Sequence, residues 1–268
     1  MSQQLAYIHP NAKIGKDVVI GPFSYIAEDV VIGDGTWIGP NVTIYEGARI
    51  GSGCKIFPGA VIAAIPQDLK FKGEYTTAEV GNNTTMRECV TINRGTASKG
   101  KTVVGSNCLL MAYSHVAHDC VLKDNIILGN GAQIAGEVEI DDYAILSAHV
   151  LVHQFERIGA HVMIQGGSKV NKDVPPFIIA AREPLTFAGI NLVGLRRRGF
   201  TAQQIGEIQE LYRNIYNKGL NVSQALLFIE ENMDRSALTD EVAGFIKNSK
   251  RGIVREFTGA DPKEGAEI

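Results

Sequence analysis

The chain has 268 residues, of which 45% are hydrophobic, and its formal net charge is −3. This length suffices for a large core, and the nearly neutral charge argues against a nucleic-acid-binding protein. The first residues, MSQQLAYIHP, lack the basic start and apolar run of a signal peptide, and no stretch approaches the roughly 18 apolar residues of a membrane span. We therefore expect a cytoplasmic protein without membrane-spanning segments.

A repeat of six residues dominates the first two thirds of the chain. Isoleucine occupies every sixth position from Ile8 to Ile62 without a miss, and apolar residues continue on the same grid to Val170. An α-helix or an alternating strand does not sustain a period of six, whereas hexapeptide repeats are typical of parallel β-helices. The repeat therefore predicts a parallel β-helix.

The grid is interrupted at three polar residues, Asp68, Glu74 and Ser98. They lie in the polar stretches PQDLKFKGEY and RGTASKGK, so we expect loops at about residues 63–79 and 95–103. Loops on a rigid scaffold commonly carry binding groups. The coil itself is expected to continue beneath them.

A second inward position follows each apolar grid position by four residues. Its side chain is usually small, as at Ala12, Val18 and Ser24. The grid residue is expected to fill the coil and the small residue to pack at its corner. Cys108 and Cys120 occupy the small position, so core packing is their expected role.

The pattern becomes helical after the stretch DVPP at residues 173–176. Thr201 and Gln204 have the spacing of a capping box, and an apolar stripe follows them. The stripe consists of Ile205, Ile208, Leu211, Tyr212 and Ile215. Two shorter helical patterns cover residues 223–233 and 239–248.

The repeat resembles the left-handed β-helix of the hexapeptide-repeat acyltransferases, in which three hexads form one triangular coil. The handedness is implied by the resemblance alone, because parallel crossover connections are normally right-handed. We expect an all-β left-handed parallel β-helix over residues 1–186 and a small α-helical C-terminal domain over residues 187–268.

The stretch SHVAHDC at residues 114–120 is the candidate site on this coil. If three hexads form one coil, residues 18 apart stack about 4.8 Å from each other, as His118, Gly136 and Gln154 would. His118 follows the inward Val116 by two residues and should face outward. Asp119 and His153 lie beside this column. We therefore expect a histidine, a carboxylate and an open glycine N–H on one outer face, which His115 borders.

Two other interpretations of these histidines remain open from the spacing. Outward histidines can simply be solvated, and the γ-class carbonic anhydrases bind zinc with histidines on the same fold. No two of the five histidines between residues 115 and 161 share a column, so the three-histidine zinc shell is not evident and no metal is expected. These histidines are His115, His118, His149, His153 and His161.

Seven short motifs make the chain similar to the UDP-N-acetylglucosamine acyltransferases, which begin lipid A biosynthesis. They are IPQDLK (65–70), VTINRGT (90–96), HVAHDC (115–120), VHQF (152–155), IGAHVM (158–163), DVPPF (173–177) and GLRRRGF (194–200). The resemblance implies a homotrimer whose active sites lie between neighbouring copies. It also implies transfer of a 3-hydroxyacyl group from acyl carrier protein to the 3-hydroxyl of UDP-N-acetylglucosamine, without a metal or diffusible cofactor.

The resemblance also implies roles for individual residues. His118 would be the general base, Asp119 would orient its ring, and the Gly136 N–H would stabilise the oxyanion. The residues implied in substrate binding are Asp68, Lys70, His115, His153, Gln154, Asn191, Arg197 and Arg198. Gly166 aligns with the position that limits acyl length. Glu137 replaces a histidine common in the family, so no role is assigned to it.

Two further functions stay open as alternatives. The N-acyltransferase of the same pathway uses a similar histidine, but it has a nucleotide-binding domain before its β-helix, whereas the hexads begin here at Ile8. A non-catalytic β-helix scaffold is the alternative from another class, and it would bind no nucleotide sugar.

Overall fold

Short parallel strands wind into a three-sided coil in the computed structural model, which describes residues 5–216 and 221–256. They form three sheets of nine, eight and eleven strands, here called sheets A, B and C. Successive strands of the coil lie in sheets A, B and C in turn, so each coil contributes one strand to each sheet. The predicted parallel β-helix is confirmed.

The strands of each sheet stack along the coil. Sheet A contains β1 Tyr7–Ile8, β4 Tyr25–Ile26, β7 Thr43–Ile44, β10 Val61–Ala64, β13 Thr91–Asn93, β16 His115–Val116, β19 Gln133–Ile134, β22 Leu151–Val152 and β25 Lys169–Val170. Sheet B contains β2 Lys13–Ile14, β5 Val31–Ile32, β8 Ala48–Ile50, β11 Thr77–Val80, β14 Lys101–Val104, β17 Val121–Leu122, β20 Glu139–Ile140 and β23 Arg157–Ile158. Sheet C contains β3 Val19–Ile20, β6 Trp37–Ile38, β9 Lys55–Ile56, β12 Thr85–Met86, β15 Leu109–Leu110, β18 Ile127–Leu128, β21 Ile145–Leu146, β24 Met163–Ile164, β26 Ile178–Ala181, β27 Thr186–Ile190 and β28 Arg255–Glu256.

The core is built from the two inward positions of each hexad. Grid residues such as Ile38, Ile92 and Ile134 are fully buried, and so are the small residues Cys54 and Cys120. Burial of each isoleucine contributes about 1.5–3 kcal/mol, so the continuous stack of apolar side chains accounts for much of the stability of the coil.

Both loops expected from the sequence interrupt the coil without shifting its phase. Ile32 pairs with Ile50 from 18 residues away, but Val80 pairs with Ile50 from 30 residues away. Val104 then pairs with Val80 from 24 residues away. The two insertions therefore have the length of whole hexads, which is why the apolar grid resumes in register after each loop.

The loops are slightly shorter than expected, because the flanking strands extend into them. The first loop covers residues 65–76, between β10 and β11, and the second covers residues 94–100, between β13 and β14. Backbone pairing of Ala78 with Ala48 lengthens β11 at its start. Both loops leave the coil where sheet A turns into sheet B, here called the A–B edge.

The C-terminal part contains the expected helices and one additional helix. The helices are α1 Leu192–Arg197, α2 Ala202–Tyr216, α3 Val222–Asn232 and α4 Ala237–Lys247. Thr201 and Gln204 form the predicted capping box at α2, with N···O distances of 2.9 and 3.2 Å. The apolar stripe of α2 is buried, as the sequence predicted.

The chain returns to the end of the coil after α4. Strand β26 pairs in parallel with β24, β27 forms an antiparallel hairpin with β26, and β28 pairs with β27. The hairpin and α1 were not expected from the sequence. The domain boundary expected at residues 186 and 187 falls at the start of β27 and stays a prediction. None of the helices in the described ranges could span a bilayer.

Candidate active site

His118 lies at the A–B edge, between β16 and β17. Val116 is fully buried in the coil, and the chain turns outward after it. His118 leaves the apolar core as expected, but the residue is only 8% exposed, so it is not the open surface side chain that the spacing suggested. A histidine in this setting is shielded from bulk water on most sides.

Asp119 is fully buried and holds the imidazole through a hydrogen bond. Nδ1 of His118 lies 2.8 Å from Oδ2 of Asp119. The same oxygen accepts a hydrogen bond from the Thr96 hydroxyl at 2.6 Å, and Oδ1 accepts from the backbone N–H groups of Thr96 at 2.9 Å and Lys99 at 3.2 Å. Four donors therefore converge on one buried carboxylate.

These donors keep Asp119 ionised. Burial alone would raise the pKa of Asp119, but the hydrogen bonds from Thr96, His118 and the Lys99 backbone together lower it. An ionised carboxylate can only accept, so Nδ1 of His118 carries the proton of their hydrogen bond. The lone pair of Nε2 is then available to accept a proton from a substrate.

Gly136 lies directly against the His118 ring, one coil further along. A Cβ atom at Gly136 would lie 2.6 Å from Nε2 and Cε1 of His118, so any larger residue would displace the imidazole. Glu137 donates its backbone N–H to the His118 carbonyl at 3.0 Å, and Phe155 donates to the Gly136 carbonyl at 3.2 Å. This stacking agrees with the predicted column. The N–H of Gly136 makes no hydrogen bond within the described residues.

His115 borders this group on sheet A. Its Nδ1 lies 2.7 Å from the Thr91 hydroxyl. Burial, and then the nearby His118, lower the pKa of His115, which favours a neutral ring. A neutral imidazole can donate or accept a hydrogen bond to a sugar hydroxyl according to its tautomer.

His153 and Gln154 emerge at the A–B edge two coils after His118, and both are exposed. Nδ1 of His153 lies 3.3 Å from the guanidinium of Arg251, which also lies 3.4 Å from the buried carboxylate of Glu156. Glu156 occupies the inward position that is usually small. Burial and the charge of Asp173 raise its pKa to about 7, and Arg251 opposes that rise.

Glu156 was not predicted from the sequence, although a signal for it exists. It is a carboxylate in a slot that elsewhere holds small side chains, four residues after the grid residue Val152. Its contact with Arg251 anchors the C-terminal segment to the coil near His153. The partner could not be predicted, because no sequence pattern relates residues 95 positions apart.

The first loop carries Asp68 and Lys70 on the same A–B edge. Oδ1 of Asp68 accepts the backbone N–H of Lys70 at 2.9 Å, which shapes the loop. Glu74 of this loop accepts the backbone N–H of Ala97 at 2.9 Å and so joins it to the second loop. Within the described residues, no hydrogen bond or ion pair links Asp68 or Lys70 to His118.

Asn191 and Arg198 lie elsewhere, near the edge between sheets B and C. Asn191 caps α1, with its amide accepting from Gly194 N–H at 3.1 Å and donating to the His161 carbonyl at 2.8 Å. Arg198 donates to the Tyr143 carbonyl at 3.1 Å. Asn191 is thus engaged at both ends of its amide.

Arg197 and Gly166 complete the set of candidate residues. Arg197 is exposed at the end of α1, beside Arg198. Gly166 is exposed at the third edge, between sheets C and A, where a Cβ atom would lie 3.1 Å from the Ala148 carbonyl oxygen. The candidate residues therefore lie on three different edges of the β-helix.

His161 lies in an aromatic cluster at the edge between sheets B and C. Its ring stacks on Tyr143 at 5.0 Å and on Phe177 at 5.7 Å, and it meets the edge of Phe200 at 5.0 Å. Burial, and then the charge of Arg198, lower the pKa of His161 to about 4. Across residues 5–216 and 221–256, no cluster of three or more histidine, cysteine or acidic side chains could hold a metal ion.

The fold and the repeat identify a hexapeptide-repeat transferase. Residues 29–64 and 101–136 match the model of the bacterial transferase hexapeptide repeat. Residues 173–254 match the model of the second domain of UDP-N-acetylglucosamine O-acyltransferases. The two models together match segments in both the β-helix and the C-terminal part of the chain.

Named relatives match nearly the whole chain. An acyl-[acyl-carrier-protein]--UDP-N-acetylglucosamine O-acyltransferase of Aliivibrio fischeri (strain MJ11) is 49% identical and covers 95% of this chain and 100% of its own length. An enzyme of the same name from Ectopseudomonas mendocina (strain ymp) is 48% identical, and the match covers 93% of this chain and 97% of that relative. The chain belongs to the acyl-[acyl-carrier-protein]--UDP-N-acetylglucosamine O-acyltransferase family.

Solved structures agree with this family. A UDP-N-acetylglucosamine acyltransferase from Bacteroides fragilis 9343 is 57% identical, with a TM-score of 0.93 over 95% of this chain and 100% of that chain. The Francisella novicida UDP-N-acetylglucosamine acyltransferase is 42% identical, with a TM-score of 0.92, and the match covers 98% of this chain and 95% of that chain. The chain is a left-handed parallel β-helix followed by a small helical C-terminal domain, as the resemblance implied.

The half-buried His161 predicts an acid-sensitive fold. Because its folded pKa of about 4 lies below the ordinary value of 6.5, the unfolded chain binds a proton between these values that the folded chain does not. Stability should therefore fall as pH drops from 6.5 towards 4. In His161→Phe, which keeps an aromatic ring but does not titrate, the melting temperature should fall less steeply with acid. Parallel slopes for both proteins would contradict this assignment.

Proposed function

We propose that the chain transfers a 3-hydroxyacyl group from acyl carrier protein to the 3-hydroxyl of UDP-N-acetylglucosamine, with His118 as the general base. This is the first step of lipid A biosynthesis, and we place it in the cytoplasm. The observation that carries the proposal is the hydrogen bond of 2.8 Å between Nδ1 of His118 and the ionised Asp119. This bond leaves Nε2 as a proton acceptor at the A–B edge, where the first loop carries the candidate substrate-binding residues Asp68 and Lys70.

The reaction follows from this geometry in two steps. Nε2 of His118 takes the proton of the sugar 3-hydroxyl as the oxygen attacks the thioester carbonyl, while Asp119 stabilises the imidazolium that forms. The N–H of Gly136 donates to the developing oxyanion, since it has no partner within the described chain. The intermediate then collapses, the C–S bond breaks, and the imidazolium returns its proton to the departing thiolate.

The remaining candidate residues have chemistry suited to the acceptor. Asp68, His115 and Gln154 can hydrogen-bond sugar hydroxyl and amide groups, and Lys70 can pair with a phosphate. His153 borders the same edge. Arg197 and Arg198 suit a diphosphate, because a guanidinium can bind phosphate oxygens bidentately. Asn191 would act through the helix that it caps, since both ends of its amide are already bonded.

A homotrimer is part of the proposal, because a single chain separates these groups. His118 lies on the A–B edge, Arg198 packs against Tyr143 on the B–C edge, and Gly166 lies on the C–A edge. If three copies packed their β-helices side by side in parallel, different edges of neighbouring copies would come together. The outer face of sheet C supports such packing with an apolar ladder. This ladder consists of Leu109, Ile127, Ile145 and Met163.

Replacement of the proposed base is the direct test of catalysis. His118→Ala should lose on the order of 10² to 10⁴ in turnover, the usual contribution of a general base. Binding of UDP-N-acetylglucosamine should weaken far less, and the melting temperature should stay close to that of the parent, because the coil is held by inward residues. Turnover with acyl carrier protein donors is followed by mass spectrometry, and binding by calorimetry.

The control for this test is His149→Ala. His149 is an exposed histidine at the C–A edge, so it reports generic effects of losing an imidazole from the coil. It should remain nearly as active as the parent. Full turnover by His118→Ala, or its loss through unfolding alone, would remove His118 from the role of base.

The oligomeric state tests the shared site. Light scattering should give three times the chain mass of 29.0 kDa. Met163→Glu on the apolar ladder should weaken the trimer, because it would bury a charge, and activity should fall together with the trimer fraction. An active monomer would rule out a site that needs a neighbouring copy.

Gly166 tests the position of the acyl chain. Gly166→Met should shift preference towards shorter 3-hydroxyacyl donors, because a side chain there would fill groove volume. The competing donors are mixed at equal concentration and the products identified by mass spectrometry. Gly166→Ala, which adds only a methyl group at the same position, is the control for loss of the glycine. An unchanged chain-length profile in Gly166→Met would exclude Gly166 from the groove.

A further inference from the structure

The second loop supplies most of the donors that surround the Asp119 carboxylate. Thr96 contributes two of them, its backbone N–H to Oδ1 at 2.9 Å and its hydroxyl to Oδ2 at 2.6 Å. Oδ2 is also the oxygen that accepts Nδ1–H of His118 at 2.8 Å. One buried oxygen is therefore shared between the proposed base and a hydroxyl of the loop.

The direction of the Thr96 hydroxyl is determined by its neighbours. Its oxygen accepts the backbone N–H of Ser98 at 3.1 Å, while the ionised Asp119 offers no proton to it. The hydroxyl proton must therefore point at Oδ2. Thr102 fixes the other side of the turn, because its hydroxyl accepts the Asp119 backbone N–H at 2.8 Å.

We infer that Thr96 is a positioning residue that sets the proton affinity of His118 through the shared oxygen of Asp119. The inference deepens the proposed function and rests on it for its catalytic meaning. A hydroxyl that donates to a carboxylate withdraws negative charge from it and weakens its attraction for an imidazolium. Thr96 thus keeps the imidazole neutral to lower pH than an unshared Asp119 would allow.

The other charged groups near the dyad do not depend on Thr96. Lys99 pairs through Nζ with Glu139 at 3.2 Å, and His115 is held by Thr91. Glu137 follows Gly136 on the next coil. The side-chain contacts of these groups do not involve the Thr96 hydroxyl, so a change in the titration of His118 on its removal reports the loss of that hydroxyl and of the Ser98 N–H bond that it accepts.

The test compares Thr96→Val, which lacks the hydroxyl at nearly the same volume, with Thr96→Ser, which keeps it. Histidine labelled with carbon-13 at Cε1 is titrated by nuclear magnetic resonance, and the His118→Ala spectrum identifies the signal. The midpoint of His118 should rise by roughly 0.5 to 1 pH unit in Thr96→Val, the size expected for one lost charge-assisted hydrogen bond. It should stay at the parent value in Thr96→Ser.

A matched control removes a buried hydroxyl elsewhere in the coil. Thr36 is buried and donates to the Gly51 carbonyl at 2.9 Å, far along the chain from the dyad, so Thr36→Val should leave the His118 midpoint unchanged. If Thr96→Val does not fold, Thr96→Ala replaces it in the same comparison with Thr96→Ser. An unmoved midpoint in the variant that lacks the hydroxyl, or an equal shift in Thr96→Ser, overturns the inference.

The titration separates this inference from the proposed function, because it requires no turnover. If His118 is the base, the acid limb of the kcat/KM profile should move with the midpoint in Thr96→Val. A shifted midpoint in a protein that transfers no acyl group would leave the effect of Thr96 standing and refute the proposed reaction. A rate that falls equally at all pH values with no shift of midpoint would assign Thr96 a purely structural role.

Discussion

Stacking of inward apolar residues at intervals of one coil fixes the register of every strand, and the site depends on that register. A slip of one residue would turn each inward side chain outwards, so the grid tolerates only insertions of whole hexads. The insertions after β10 and β13 obey this rule. They therefore add loops at the A–B edge without rotating His118, Gly136 and Gln154 out of their common column.

The electrostatics of the site follow from the second insertion. Asp119 is fully buried, and an isolated carboxylate there would tend to become protonated. The loop of residues 94–100 supplies hydrogen bonds that keep it ionised, and the ionised carboxylate in turn selects the tautomer of His118. The loop is thus part of the proposed catalytic group as well as a candidate wall of the binding site.

Much of the architecture could be predicted from the sequence, because a strict period has few structural solutions. The coil, the two loops and helices α2 to α4 follow from apolar spacing and capping residues. Helix α1 and the hairpin of β26 and β27 were missed. Six residues are too few to reveal a helical stripe, and this hairpin is held by pairing with the end of the coil.

The candidate site was only partly predictable, for a related reason. The column of His118 and Gly136 follows from coil length, because it depends on local stacking. Thr96 lies 23 residues before Asp119, and Arg251 lies 95 residues after Glu156. Such contacts depend on how the loops and the C-terminal segment fold back onto the coil, and the repeat of the sequence does not predict that folding.

A crystal structure of the protein with UDP-N-acetylglucosamine would show whether the β-helix presents His118 to the acceptor hydroxyl. If His118 is the general base, the sugar 3-hydroxyl should lie about 2.6–3.2 Å from Nε2 of His118, with the diphosphate on arginines of a neighbouring copy. A sugar bound at another edge, or a 3-hydroxyl beyond hydrogen-bond reach of Nε2, would contradict it.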